Sequence, residues 1–271
     1  MDVIGKGLPG MKIRTFVIAY VFALAIFLFA QRPARPEPDP RFLVIDLTHS
    51  VNQNVPTYEL AEHSAYREQT IATIEKDGYF ARQISLPEHY GTHLDAPAHF
   101  VRGLWTVDQI PAERLVAPLV VLNVQRKAAQ NPDYQITVDD IANWEQVHGH
   151  IPQAAVVMAN TGWESRWNSE KNYRNADRQG IMHFPGYSLE SARFLVEARS
   201  VIAIGIDTLS IDYGPSKDFP VHKYSLSHSL YQLENVANLS QAPEFGATLV
   251  SAPTKLEGGS GAAVRLLALV K

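Results

Sequence analysis

The sequence contains no cysteine. Disulfides, thiolate nucleophiles and cysteine-based zinc fingers are therefore excluded. An excess of basic charge is also lacking, because 24 lysine and arginine residues stand against 28 aspartate and glutamate residues in a chain of 271. A mildly acidic chain has no electrostatic reason to bind nucleic acid, so we expect no such partner. The absence of a G-x-S-x-G motif argues against the serine nucleophile of α/β-hydrolases.

Long apolar runs are scarce, and the longest charge-free one is TFVIAYVFALAIFLFA at 15–30. Lys6, Lys12 and Arg14 precede it, and basic residues before an apolar run are typical of an export signal. The run is shorter than the ~20 residues that span a bilayer comfortably. Cleavage after Ala30 and an uncleaved signal anchor through residues 15–30 both fit this pattern. Either one predicts export to the periplasm or the cell exterior, with a membrane anchor if the leader is retained.

The segment that follows the leader has a linker composition. QRPARPEPDP at 31–40 holds four prolines and no apolar periodicity, which is typical of an extended tether. We therefore expect a signal peptide or signal anchor at 1–30, a proline-rich linker at 31–41 and one folded domain at 42–271.

Short apolar runs recur through the folded part and predict strands buried on both faces. They are FLVIDL (42–47), LVVLNV (119–124), AAVVMA (154–159), VIAIGI (201–206), ATLVSA (247–252) and VRLLALV (264–270). ARQISL (81–86) alternates polar and apolar residues, which predicts a strand with one face in solvent.

Helix start signals lie between these runs. Thr137 and Asp140 resemble a capping box that opens VDDIANWEQVHG, with Gly149 as the stop. Ser188 is placed to cap LESARFLVEA in the same way. Strands interleaved with helices predict an α/β fold.

The segment EHYGTHLDAPAHF (88–100) carries the most chemical information. It contains His89, His93, Asp95 and His99 in the spacing H-x3-H-x-D-x3-H. Three imidazoles and a carboxylate so close together suit a borderline divalent ion, because histidine nitrogen and carboxylate oxygen are its usual ligands. The glycine and proline within the segment disfavour a helix. We expect an irregular loop that directs alternate side chains inward.

HYGTHLDAPAHF resembles the H-x-G-T-H-x-D-x-P-x-H signature of the metal-dependent cyclase family, which includes bacterial kynurenine formamidase and isatin hydrolase. The resemblance extends to IDLTHSVNQNVPTYE near the start, TGW at 161–163, GIDTLSIDYG at 205–214 and KLEGGSGAAVRLLAL near the end. It implies a single α/β domain of the swivelling β/β/α type and a homodimer.

The resemblance also implies roles for the residues of the signature. His89, His93 and Asp95 match the positions that bind metal in the family, and His99 matches the catalytic acid/base. The family carries one or two divalent ions, commonly Zn²⁺ or Mn²⁺, so we expect the same of this chain.

A second family ligand pair, a histidine and a glutamate twelve residues apart, matches His222 and Glu234. The first motif does not dictate this spacing, so the agreement is an independent test of the resemblance. Asp207 and Asp212 are candidates to hydrogen-bond the metal ligands from behind.

These parts predict a metal-dependent hydrolase of a small amide, lactam, lactone or ester. A divalent ion with an open position acidifies water and polarises a carbonyl, and a histidine beside it can shuttle the proton. The alternative is an exported metal-ion or small-ligand binding protein without turnover. The two differ at His99, because a binding protein has no need of an unliganded imidazole beside the ion.

Tyr58 stands two residues after Pro56, where kynurenine formamidases tend to place a tryptophan against the substrate's aromatic ring. The resemblance therefore implies that Tyr58 contacts the small-molecule substrate. Simple packing of this side chain is the alternative.

Overall fold

A computed structural model describes residues 42–59 and 66–271. The predicted leader (1–30) and linker (31–41) lie outside the described residues and stay predictions. In the part of the chain that is described, no helix combines the length and hydrophobicity needed to cross a bilayer.

Twelve strands are formed by the described residues. They are β1 (Leu43–Asp46), β2 (Arg67–Ala72), β3 (Ala81–Ser85), β4 (His93–Asp95), β5 (Val116–Asn123), β6 (Gln135–Ile136), β7 (Val156–Asn160), β8 (Gly186–Tyr187), β9 (Ala203–Ile206), β10 (Tyr231–Glu234), β11 (Ala247–Pro253) and β12 (Gly261–Val270).

Seven of these strands close into a barrel-like ring in the order β12-β11-β5-β7-β9-β10-β4, and β4 pairs back onto β12. The long strand β12 makes the closure possible because its two halves have different neighbours. Gly261–Ala263 pair with β4, whereas Leu267–Val270 pair with β1. Pairing is parallel across β5, β7, β9 and β10 and antiparallel elsewhere in the ring.

Six α-helices of the described residues complete the domain. They are α1 (Ile74–Asp77), α2 (Gln125–Gln130), α3 (Val138–His148), α4 (Glu170–Arg174), α5 (Leu189–Arg199) and α6 (Pro220–Ser227). The predicted capping box is confirmed at α3, where the Thr137 side chain accepts a bond from the Asp140 amide and the Asp140 carboxylate accepts one from the Thr137 amide. Ser188 caps α5 as predicted.

The two faces of the sheet bury different cores because successive side chains of a strand alternate. Leu119 and Val121 of β5 point into the ring, where they join Leu94, Leu233 and the other residues of the barrel core. The intervening Val120 and Leu122 point outward and pack with residues of α3 and α5. The α/β single domain predicted from the sequence is thereby confirmed.

Strands β1, β5, β7, β9, β11 and β12 form where the apolar runs predicted them. Strand β7 is buried along its whole length. The hairpin of β2 and β3 differs from expectation. ARQISL was expected to have one wet face, yet β3 is exposed on both sides, and Ile84 is 46% exposed. The reason is that, among the described residues, β3 pairs with β2 alone in a two-stranded sheet that no third strand joins.

Helices α3 and α5 are joined by an ion pair as well as by their apolar faces. The Arg199 guanidinium donates to both carboxylate oxygens of Glu145, with distances of 2.5 Å from Nε and 2.7 Å from Nη2. The amide of Ile151 donates to the same carboxylate. These bonds, led by the one from Arg199, lower the pKa of Glu145 to about 2.

We expect Arg199→Gln to lower the free energy of unfolding by about 1 kcal/mol at pH 7, the size of a well-formed but partly exposed ion pair. The folded-state pKa of Glu145 lies below its ordinary value of 4.5. The stabilisation is therefore complete above that value and is lost as pH falls through about 2. Urea unfolding of parent and variant between pH 2 and 7 measures the difference in their free energies of unfolding, which should become smaller as the pH falls. Arg193→Gln on the same helix is the control, and an equal loss there would refute the assignment.

Candidate metal centre

The position of β4 between β10 and β12 decides where its side chains point. Leu94 lies in the barrel core, so the alternation of the strand places His93 and Asp95 on the opposite face. Glu234 of β10 stands directly across from His93 in the register. Opposed residues of an antiparallel pair share a face, and the three polar side chains are buried there together.

His222 comes to the same place from helix α6, which starts with Pro220. The carboxylate of Asp212 lies behind it. One Asp212 oxygen is 2.7 Å from His222 Nδ1, and the two oxygens also accept bonds from the amides of Val221 and His222. This arrangement fixes the ring with its Nε2 atom facing the β4 and β10 carboxylates.

The predicted ligands converge at short distances. His93 Nε2 lies 3.2 Å from Asp95 Oδ1 and 3.4 Å from Glu234 Oε2. His222 Nε2 lies 3.1 Å from Glu234 Oε1 and 3.6 Å from Asp95 Oδ2. The ligand atoms of His93, Asp95 and Glu234 lie within 4.8 Å of one another, so residues more than 120 positions apart in the chain form one cluster.

His89 and His99 form a second group around the same aspartate. Their ligand atoms and one oxygen of Asp95 also lie within 4.8 Å of one another. His89 Nδ1 is 2.6 Å from Asp95 Oδ1, and the His89 and His99 ring centroids are 4.0 Å apart. Asp95 is therefore shared by two adjacent groups of metal-type ligands.

The electrostatics of the cluster favour positive charge. Burial alone would lower the pKa of His93, but the carboxylates of Asp95 and Glu234 outweigh it and raise that pKa well above its usual value. The pKa of His222 is raised in the same way, chiefly by its bond with Asp212 against the effect of burial. Burial likewise would raise the pKa of Asp95, yet the neighbouring imidazoles hold it well below its ordinary range.

The donor set fits a divalent cation. Asp95 Oδ2 is buried and has no hydrogen-bond partner, which is costly for a carboxylate oxygen unless a cation satisfies it. Among the described residues that line the adjoining cavity there is no lysine or arginine. Imidazole nitrogens and carboxylate oxygens are the ligands that Zn²⁺ accepts, and they also suit Mn²⁺.

An aromatic wall stands over the cluster in a cavity of about 280 Å³. Tyr58, Phe100 and Phe219 line it, with ring centroids 5.9 Å apart for Tyr58 and Phe219 and 5.8 Å apart for Phe100 and Phe219. Phe219 has φ 48° and ψ 53°, a left-handed backbone conformation that is strained for a bulky residue. The fold thus maintains an unfavourable conformation that places this ring beside the cluster.

Each predicted site residue is found at this cavity. His89, His93, Asp95, His99, His222, Glu234 and Tyr58 all line it. The two aromatic residues Phe100 and Phe219 were not predicted, although Phe100 directly follows His99 and Phe219 lies three residues before His222. Their position at the cavity depends on contacts between distant segments, which the spacing of residues along the chain does not reveal.

The two aspartates considered as supports for the metal ligands have different outcomes. Asp212 supports His222, as was considered, but Asp207 accepts bonds from the Thr161 hydroxyl and from the amides of Thr161 and Trp163 instead. Asp207 therefore orders the turn at TGW.

Comparisons with known proteins agree with this geometry. A family model described as putative cyclase matches residues 45–213. Isatin hydrolase of Roseibium aggregatum is 32% identical over 241 residues, covering 85% of this chain and 88% of that protein.

Solved structures give the same result. A crystal structure of an isatin hydrolase bound to the product analogue thioisatinate has a TM-score of 0.80 and 28% identity, covering 96% of this chain and 99% of that one. The structure of a potential metal-dependent hydrolase with cyclase activity has a TM-score of 0.65 and 26% identity, covering 85% of this chain and 98% of that one.

We expect His93→Ala to lower metal content and thermal stability together, because an ion that binds only the folded state stabilises it. Metal analysis and thermal unfolding, each with and without chelator, measure both effects. His150→Ala removes a histidine whose side chain is 84% exposed and should change neither. Full metal occupancy in the His93 variant would refute the ligand assignment.

Proposed function

The chain belongs to the cyclase family, and we propose that it hydrolyses the amide bond of a small, planar aromatic compound, with a lactam as the preferred class. Within this family it is a metal-dependent hydrolase of a small molecule that carries an amide bond. The observation that carries the proposal is the aromatic wall directly over the buried cluster of carboxylates and imidazoles. The cavity is near the small end of the ~300–1,000 Å³ range of ligand sites.

The relatives support the aromatic class. Isatin hydrolase is named for isatin, a flat bicyclic lactam, and the structure of an isatin hydrolase holds the product analogue thioisatinate. Tyr58 and Phe219 are inclined at 54° to each other, so a flat ring can stack on one and meet the edge of the other. We propose that these two side chains hold the aromatic part of the substrate.

We propose that His89, His93, Asp95, His222 and Glu234 hold one or two divalent ions, Zn²⁺ or Mn²⁺. The two ligand groups that share Asp95 favour two neighbouring positions. When bound, a divalent cation supplies a Lewis acid for the carbonyl and acidifies water near neutral pH. The carboxylates and imidazoles would hold the positive charge of the ion in a buried site. In such a site the charge that develops on the substrate's carbonyl oxygen is stabilised strongly.

His99 is the proposed proton carrier. The reaction adds water to the carbonyl carbon and breaks the C–N bond, so one proton must travel from the water to the leaving nitrogen. Partial burial lowers the pKa of His99 to about 4, below the near-neutral range expected from the residue type. The imidazole is therefore neutral at pH 7, which leaves a nitrogen lone pair to take that proton before passing it on.

Export and dimer formation are further parts of the proposal. The basic residues and apolar run at the start of the chain support export, and N-terminal sequencing of protein from an envelope fraction tests it. A cytoplasmic pool with Met1 intact would refute it. The homodimer rests on family resemblance, and light scattering of the purified protein tests it.

Mutation of His99 tests its role in the reaction. We expect His99→Asn to leave metal content nearly unchanged and to lower the hydrolysis rate of isatin by ~10²- to 10⁴-fold, as for a lost general acid/base. Metal analysis and steady-state kinetics check the two halves, with His150→Asn as the matched control. Loss of metal in the His99 variant would make this residue a ligand and overturn the role.

The substrate class is tested by a panel of isatin, formylkynurenine, an aliphatic lactam, a lactone and an aryl ester. We expect isatin to be hydrolysed most efficiently. Tyr58→Leu should raise KM for isatin by about 2- to 10-fold, the size of one lost aromatic contact, with little change for the aliphatic lactam. Tyr79→Leu is the control, because Tyr79 is 61% exposed at the surface. Equal use of aliphatic and aromatic substrates would contradict the proposal.

A further inference from the structure

Both ring nitrogens of His89 are engaged in the structure. Nδ1 lies 2.6 Å from Asp95 Oδ1, and Nε2 lies 3.0 Å from the hydroxyl oxygen of Ser260. Ser260 belongs to the GGSG segment at 258–261, where strand β12 begins. A metal-binding imidazole needs one nitrogen with a free lone pair, so the second partner decides which nitrogen that is.

The bonds around Ser260 show the direction of its own proton. Its hydroxyl oxygen is 2.7 Å from Glu88 Oε2, and this carboxylate oxygen also accepts bonds from the amides of Ser260 and Gly261. An oxygen that accepts two amide protons acts as an acceptor toward the hydroxyl as well. Ser260 therefore donates to Glu88 and presents a lone pair to His89, which requires a proton on His89 Nε2.

We propose that Glu88 and Ser260 are positioning residues that fix His89 in its Nε2-protonated tautomer, so that His89 binds the metal ion through Nδ1. This inference rests on the proposed function only in requiring that a divalent ion occupies the site. The Nδ1 atom faces Asp95, the residue shared by the two ligand groups. In this tautomer the Nδ1 lone pair of the neutral ring faces the negatively charged carboxylate. A cation between them binds both the lone pair and the carboxylate oxygen.

The other two histidine ligands are held in the opposite way. His93 Nδ1 lies 3.0 Å from the carbonyl oxygen of Gly91, and His222 Nδ1 lies 2.7 Å from Asp212. Unlike Asp95, neither of these partners belongs to the proposed ligand set, so no ion stands between it and the ring. Each therefore accepts a proton from Nδ1, which leaves Nε2 free in both rings. The centre thus combines two rings that bind through Nε2 with one that binds through Nδ1.

The close approach of the His89 ring explains why residue 261 is a glycine. A Cβ atom at this position would lie 2.4 Å from His89 Cε1 and 2.8 Å from Nδ1. Gly261 also stands opposite Asp95 in the pairing of β12 with β4. The ring of His89 therefore packs directly over the backbone at Gly261, and Ser260 holds its far edge.

The test uses the full chain, stripped of metal and titrated with Co²⁺, whose visible absorption reports the number and type of ligands. We expect Ser260→Ala to weaken Co²⁺ binding by about 10- to 100-fold, as for other residues that hold a ligand in place. Ser260→Thr keeps the hydroxyl and should restore most of the affinity. Ser165→Ala removes another serine hydroxyl bond, 2.7 Å to the Gly162 carbonyl, and should bind Co²⁺ like the parent.

A second readout identifies the ligating atom directly. Histidine ¹⁵N NMR of the Zn²⁺-loaded parent should show one metal-bound ring protonated at Nε2 and two protonated at Nδ1. The Ser260→Ala variant should lose or broaden the first signal alone. Thermal unfolding of the metal-free variants serves as the folding control, because the loss of affinity should appear without a comparable loss of metal-free stability.

The outcomes separate this inference from the proposed function. A parent protein that binds neither Co²⁺ nor Zn²⁺ would overturn both. A parent that binds the ions with every ligating histidine protonated at Nδ1 would overturn this inference and leave the proposed function standing. Unchanged Co²⁺ affinity in Ser260→Ala would have the same consequence, as would a Ser260→Thr variant no better than Ser260→Ala.

Discussion

Two carboxylates buried against three imidazoles are the constraint on which the rest of the structure depends. Asp95 and Glu234 are each at least nine-tenths buried, and an isolated carboxylate in such a place would neutralise or unfold the region. Positive charge must therefore be supplied, and the candidates are protonated imidazoles or a metal ion. Asp95 Oδ2, which has no hydrogen bond, favours the ion, because His222 Nε2 lies 3.6 Å from this oxygen and is too distant to donate a hydrogen bond to it.

The closed sheet is what brings these groups together. β4 is only three residues long, yet it pairs on one side with β10 and on the other with β12. This position places Glu234 opposite His93 and leaves only a glycine opposite Asp95 on β12. Side chains of β4 and β10 alternate between the two faces of the sheet, so Leu94 and Leu233 fill the barrel core while the metal ligands of the same strands point outward. Packing of the core therefore also fixes the positions of the ligands.

The sequence predicts the parts of this protein that are encoded locally. The capping box of Thr137 and the apolar runs of β5, β7 and β9 depend on neighbouring residues, and both are found as expected. The histidine spacing and family resemblance also select the residues that meet at the cavity. In contrast, β10 carries Gln232 and Glu234 in a four-residue strand and has no apolar run to reveal it. The contact of Ser260 with His89 joins residues 171 positions apart, and no local pattern encodes it.

The central claim is that Asp95 joins the signature motif and the second ligand pair around a divalent cation. Anomalous diffraction from crystals grown with Mn²⁺ or Zn²⁺, recorded on both sides of the metal absorption edge, tests it most directly. The account predicts a peak ~2.0–2.3 Å from an Asp95 oxygen, with nitrogens of the signature histidines or His222 as its other neighbours. A well-ordered crystal with no peak at Asp95, although the metal is bound elsewhere on the protein, would contradict the account.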